Sequence, residues 1–167
     1  MNKCLLFDWG GTLMKELPGF KGPMVNWPKV EVIEEAPLVL SELHKNWMLA
    51  VATNAVNSNE EQIWAALDRA GLKGFIDKVY CYRAIGQKKP SPQFFSYILN
   101  DLGLDASKVF MVGDDFALDV LGANGCGIRA IWLNQNSDEE RKAAMYQTVH
   151  DLKSLPNALT MMISNKQ

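Results

Sequence analysis

The chain has 167 residues, 48% of them hydrophobic, which suits one domain with a substantial core and leaves no room for a second full one. Its formal net charge is −2 and its lysines and arginines are scattered, so it lacks the electrostatic footprint of a nucleic-acid binder. Cys4, Cys81 and Cys126 are odd in number and form no CxxC or Cys/His cluster of metal-site spacing; reduced, buried thiols and a cytoplasmic protein are expected. Met1-Asn2-Lys3 leads straight into a short strand, and neither a secretory leader nor a membrane span is expected there.

In chain order, the apolar run Cys4-Leu5-Leu6-Phe7 predicts a short buried strand ending at Asp8-Trp9-Gly10-Gly11-Thr12-Leu13. A carboxylate at that point, followed by a turn with two glycines whose N–H groups can hold an anion, makes Asp8 a candidate nucleophile. Residues 14–36, rich in proline and glycine, predict an irregular flap that returns near Val30 to Glu35, with Phe20 and Trp27 packed against its base. Pro37 starts a helix whose apolar face is Leu38, Leu40, Leu43 and Trp47; a strand, Met48 to Ala52, follows and stops at Thr53-Asn54. Ser58, with Glu61 three residues on, predicts the cap of a helix running to Gly71. Lys78 to Tyr82 reads as a third strand, and Ser91 opens a helix carrying Phe94, Phe95 and Ile98 that ends by Gly103.

Val109-Phe110-Met111-Val112 predicts a strand buried on both faces, stopping at Gly113-Asp114-Asp115 and followed by a helix from Phe116 to Gly125 that carries Asp119. Ile128 to Leu133 is a fifth strand, Ser137 to Gln147 a polar helix, and Leu152 to Ile163 an amphipathic one. This alternation predicts a three-layer, Rossmann-like parallel sheet of about five strands with helices on both faces, in one domain over residues 1–167. Asp8, Thr53 and Asp114 each follow an apolar strand, so the fold should bring them to one sheet edge. Each has an ordinary alternative as well: Asp8 in a tight turn, Thr53-Asn54 in an Asx-type turn, Asp119 on a solvated helix face, Lys89 at the surface before a helix. His44 and His150 match no motif.

Taken in order, FDWGGTL, Ala52-Thr53-Asn54, Lys88-Lys89-Pro90-Ser91-Pro92 and VGDDFALD from Val112 to Asp119 resemble the four motifs of the haloacid dehalogenase superfamily of phosphohydrolases. The resemblance implies that Asp8 attacks phosphorus and carries an aspartyl-phosphate, that Thr53 and the Asn54 backbone bind a phosphoryl oxygen, and that Lys89, rather than Lys88, neutralises charge between phosphate and Asp8. It further implies a Mg²⁺ ion held by Asp8, the Gly10 carbonyl and Asp114, with Asp115 or Asp119 acting directly or through water. Carboxylates crowded at one sheet edge repel, and a hard divalent cation with oxygen ligands relieves that repulsion. The implied substrate is a phosphorylated small molecule or a phosphoprotein, with no nucleic acid, no membrane, and an oligomer possible.

One departure stands out. Related phosphatases carry a second Asp two positions after the nucleophile, as acid for the leaving group and base for water; here Gly10 holds that place. Phosphonatases also have a small residue there, but they need a lysine from a cap that residues 14–36 are too short to form. The expected protein is therefore a Mg²⁺-dependent phosphatase-type hydrolase, or else a phospho-ligand-binding or regulatory relative with little turnover. Whether Glu16 on the flap supplies the missing acid is left open by the residues alone.

Overall fold

The computed structural model describes residues 2–164; Met1 and residues 165–167, which the expected 1–167 unit includes, lie outside them. Six strands form one parallel sheet: β1 (Cys4–Phe7), β2 (Met48–Thr53), β3 (Lys78–Cys81), β4 (Val109–Gly113), β5 (Arg129–Leu133) and β6 (Tyr146–Val149), in the order β3-β2-β1-β4-β5-β6. The chain builds outward from β1 on one side, then returns beside it at β4 and builds outward on the other. The order reverses between β1 and β4, which is where open α/β sheets form a ligand crevice.

β1 shows why the sheet is central. All four of its residues are buried, with Leu5 and Phe7 in one core and Cys4 and Leu6 in the other, as a period of two requires for a strand covered on both faces. The first core is closed by α1 (Ala36–Leu43), α2 (Glu60–Arg69) and, late in the chain, Leu155–Ser164; the second by Pro92–Leu102. We number the remaining helices α3 (Tyr82–Ile85, a single turn), α4 (Pro92–Leu102), α5 (Gly122–Asn124) and α6 (Leu155–Ser164).

Several sequence expectations are corrected. The sheet has six strands rather than about five, because residues 137–147 do not form a helix: they lack an apolar stripe to bury, and Tyr146–Val149 pairs with β5 as an edge strand instead. Arg141 is turned over the rings of Phe116 and Trp132, and its N–H donates to Thr148 Oγ1 at 2.8 Å. Asn59, not Ser58, caps α2; its Oδ1 accepts from Gln62 N at 2.9 Å while Gln62 Oε1 accepts from Asn59 N at 2.9 Å. The buried face of α1 is Ala36, Val39, Leu40 and Leu43, while Leu38 is 74% exposed. Between β4 and α5 the expected helix opens into a π-helical stretch, Phe116–Leu121, capped by Asp115 Oδ1 on Leu118 N at 2.9 Å.

The flap behaves as a tethered wall. Its two legs pair antiparallel, with Lys15 N donating to Glu31 O and Ile33 N to Leu13 O, both at 2.8 Å. Its tip is held to α2 by Arg69, whose Nη1 donates to Val25 O at 2.6 Å and Trp27 O at 2.8 Å. Phe20 and Trp27 pack against each other within it, ring centroids 5.7 Å apart and planes tilted by 54°. No helix among the described residues is long and apolar enough to cross a membrane.

Candidate active site

The carboxyl ends of β1, β2 and β4 converge on a cleft of about 480 Å³ whose walls include Asp8, Thr53, Lys89, Asp114 and Asp119. Asp8 comes directly after β1, and its N–H donates to Val112 O of β4 at 2.9 Å, which fixes the point from which its side chain leaves the sheet. The turn beyond it closes on the Trp9 carbonyl, which accepts from Leu13 and Met14 N–H at 3.0 Å each. Gly11 sits at φ 79°, and a Cβ there would collide with the Asp114 carboxylate, so both conformation and space require glycine. The Gly11 N–H donates to Met14 O at 2.8 Å; it is used inside the turn, not presented to an anion as the sequence suggested.

Lys89 is the electrostatic centre. Its side chain is 2% exposed, and Nζ donates to Asp8 Oδ1 at 2.8 Å and Asp119 Oδ1 at 2.7 Å. Burial disfavours the ammonium ion, but the Asp8 and Asp119 carboxylates outweigh it and hold the lysine above its ordinary pKa. Lys88 is elsewhere, with Nζ 4.5 Å from the Tyr82 ring centroid. The Lys89 backbone is held by the Asn54 side chain: Nδ2 donates to Lys89 O and Oδ1 accepts from Lys89 N, each at 2.8 Å. The motif resemblance implies a role for the Asn54 backbone alone; the reciprocal side-chain clamp is an addition that the structure supplies.

Asp8, Asp114 and Asp119 each offer a carboxylate oxygen within 4.8 Å of the others. Burial, followed by proximity to Asp8, pushes Asp114 up to about 7; burial also pushes Asp119 up to about 6, against the pull of Lys89. Three carboxylates against one ammonium leave surplus negative charge, and a hard oxygen-binding dication suits that donor set. Among the three, Asp119 has both oxygens engaged, Oδ1 by Lys89 and Oδ2 by Asp115 N at 3.1 Å. Asp114 Oδ1 accepts from the Thr12 hydroxyl at 3.3 Å. Asp115 is occupied as the helix cap described above. Thr53 Oγ1 accepts from Ala55 N at 3.1 Å, which leaves its own proton free to donate. His44 and His150 do not line the cleft.

The family model described as haloacid dehalogenase-like hydrolase matches residues 6–133. The chain is 29% identical over 143 residues to ribulose-1,5-bisphosphate 5-phosphatase of Halopiger xanaduensis, covering 81% of this chain and 58% of that protein. It is 31% identical over 123 residues to phosphoserine phosphatase of Thermus thermophilus, covering 72% and 48%. Thus the chain spans about half the length of the curated relatives it matches. Among solved structures, an uncharacterized protein from Listeria monocytogenes serotype 4b superposes with a TM-score of 0.84 at 28% identity, covering 97% of this chain and 99% of that one.

Proposed function

The chain belongs to the haloacid dehalogenase-like hydrolases, and from that premise we propose that it is a Mg²⁺-dependent phosphatase acting through an aspartyl-phosphate on Asp8. The observation that carries the proposal is the placement of Asp8 at the β1/β4 switch point, with Lys89 Nζ at 2.8 Å and two further carboxylates within 4.8 Å. Asp8 Oδ1 accepts from Lys89 and keeps a lone pair, so the two carboxylate oxygens would share attack on phosphorus and ligation of the metal between them. Lys89 holds positive charge between nucleophile and phosphate, and the Thr53 hydroxyl donates to a phosphoryl oxygen, with Asn54 fixing Lys89 by its backbone. Positioning and charge stabilisation of this kind supply most of the catalysis in phosphoryl transfer.

Asp8, Asp114 and the Gly10 carbonyl are the groups that would hold the ion, with Asp119 acting mainly on Lys89 and Asp115 on its helix. When bound, Mg²⁺ screens the approach of an anionic carboxylate to an anionic phosphoryl group. The open cleft suits a phosphorylated small molecule or an exposed phosphorylated side chain of a protein. A reducing, cytoplasmic setting is part of this proposal; Cys4 and Cys81 are buried as expected, whereas Cys126, also expected to be buried, is partly exposed.

Thermal melting with Mg²⁺ and beryllofluoride, which mimics a phosphoryl group on a carboxylate, tests the proposal. Wild type should be stabilised by Mg²⁺ and further by the pair, Asp114→Asn should lose most of the Mg²⁺ shift, and Asp8→Asn should lose the beryllofluoride shift. Equal beryllofluoride shifts in wild type and Asp8→Asn would remove Asp8 from the covalent role.

A further inference from the structure

We propose that Glu16 is the carboxyl group that exchanges the leaving-group proton, standing in for the side chain that residue 10 lacks. The inference rests on the reading of Asp8 as the nucleophile. A Cβ built on Gly10 would lie 2.7 Å from Glu16 Oε1, 3.1 Å from its Cγ and 3.2 Å from its Cδ. The Glu16 carboxyl group therefore fills the space into which a side chain at position 10 would project. Gly10 is absent from the glycines at positive φ, so its backbone could accept another residue, whose side chain would meet the end of the Glu16 side chain.

The route by which Glu16 arrives is fixed. Met14 is fully buried and bridges both Gly10 and Val32, and Lys15 N is bound to Glu31 O. Side chains alternate across this extended stretch. Lys15 turns outward, its Nζ 3.4 Å from Glu31, and Glu16 turns back into the cleft that Asp8 and Thr53 line. Lys15 and Lys29, the lysines on the paired legs of the flap, both pair with Glu31, and Glu16 has no ion-pair partner among the described residues. It is thus an uncommitted carboxyl at the mouth of the site, reached by the leaving group of an ester whose phosphorus faces Asp8.

The chemistry balances over two steps. In the first, an Asp8 oxygen bonds to phosphorus as the P–O(ester) bond breaks, and the Glu16 O–H proton passes to the departing oxygen, releasing a neutral alcohol and leaving Glu16 ionised. In the second, Glu16 takes a proton from water as that water's oxygen attacks the phosphorus of the aspartyl-phosphate, releasing inorganic phosphate and restoring both the Asp8 carboxylate and the Glu16 acid.

The test is single-turnover phosphoryl transfer to the full chain with Mg²⁺, using para-nitrophenyl phosphate beside alkyl phosphates. Phenolate leaves without a proton and alkoxide does not, so Glu16→Gln should slow the alkyl esters by roughly 10²–10⁴-fold and the aryl ester by far less. The double variant Glu16→Ala/Gly10→Asp, in which the close neighbour of a Cβ at position 10 is gone, should recover much of the alkyl rate. A structural role for Glu16 would lower both classes together and would not be rescued from position 10. A Glu16→Gln variant with the wild-type alkyl-to-aryl ratio, or a double variant with no recovery, overturns the inference while leaving Asp8 in place. Wild type that transfers phosphate from none of the esters overturns the Asp8 reading, and Glu16 falls with it.

Discussion

At the scale of single residues, Lys89 does the most to organise the site. Lys89 and Asp119 are exposed by 2% and 1% at their side chains, and Lys89, which also pairs with Asp8, is the cation that neutralises Asp119 in a medium that screens little. Removing one partner of such a pair strands the other charge. Lys89→Met should therefore cost about 3–5 kcal/mol at neutral to mildly basic pH, read from urea unfolding, and less in mild acid where Asp119 can take up a proton. A cost that is small and the same at both pH values would show that Asp119 does not depend on Lys89. The lysine itself was legible from Lys88-Lys89-Pro90-Ser91-Pro92 between a strand and a helix. The Asn54 clamp on it was not, because its two ends are 35 residues apart and nothing local in Thr53-Asn54 names a partner. The Glu16 contact was half legible: the missing carboxyl at Gly10 posed the question, and only the pairing of the flap's legs shows which side chain returns to that space.

At the scale of elements, periodicity located most of the strands and helices and was least secure in choosing faces and ends. On α1, Leu38 and Leu40 are equally apolar in sequence, yet Leu40 is fully buried against the core and Leu38 is 74% exposed. Leu40→Ala should cost about 2–5 kcal/mol, whereas Leu38→Ala should stay within roughly 0.5 kcal/mol, as measured by chemical denaturation. Comparable losses at the two positions would contradict the orientation of α1. The strand ends were legible because hydrophobic runs buried on both faces stop abruptly at polar residues, as at Phe7-Asp8 and Gly113-Asp114. β6 was not, because an edge strand is half solvated and its Gln147 and Thr148 carry no apolar signal; Gln147 Nε2 finds its partner at Ala158 O, 2.8 Å away on α6.

At the scale of the whole molecule, a sheet buried on both faces delivers its strand ends, and the carboxylates that follow them, to a single edge. Local stability and site chemistry are in tension there. Asp114 and Asp119 are raised from an ordinary 3.8 to about 7 and about 6, first by burial; the Asp8 carboxylate adds to the rise in both, and in Asp119 the Lys89 ammonium opposes it. The sign follows directly. As pH rises past about 4 the unfolded chain releases these protons while the folded chain keeps them, so the folded state holds more protons and its stability falls. The fall runs through about pH 7 and then levels, because both states are then ionised; below about 4 both are protonated and the penalty is absent. Metal-free protein, kept so with a chelator, should therefore lose melting temperature across this window, with Asp114→Asn losing less than wild type. A dication favours the ionised carboxylates and should reverse the trend, making Mg²⁺ stabilisation larger at pH 7 than at pH 5. If the melting temperature of Asp114→Asn tracks wild type in parallel over the whole range, and Mg²⁺ stabilises equally at both pH values, the surplus negative charge at the sheet edge is not what the ion relieves.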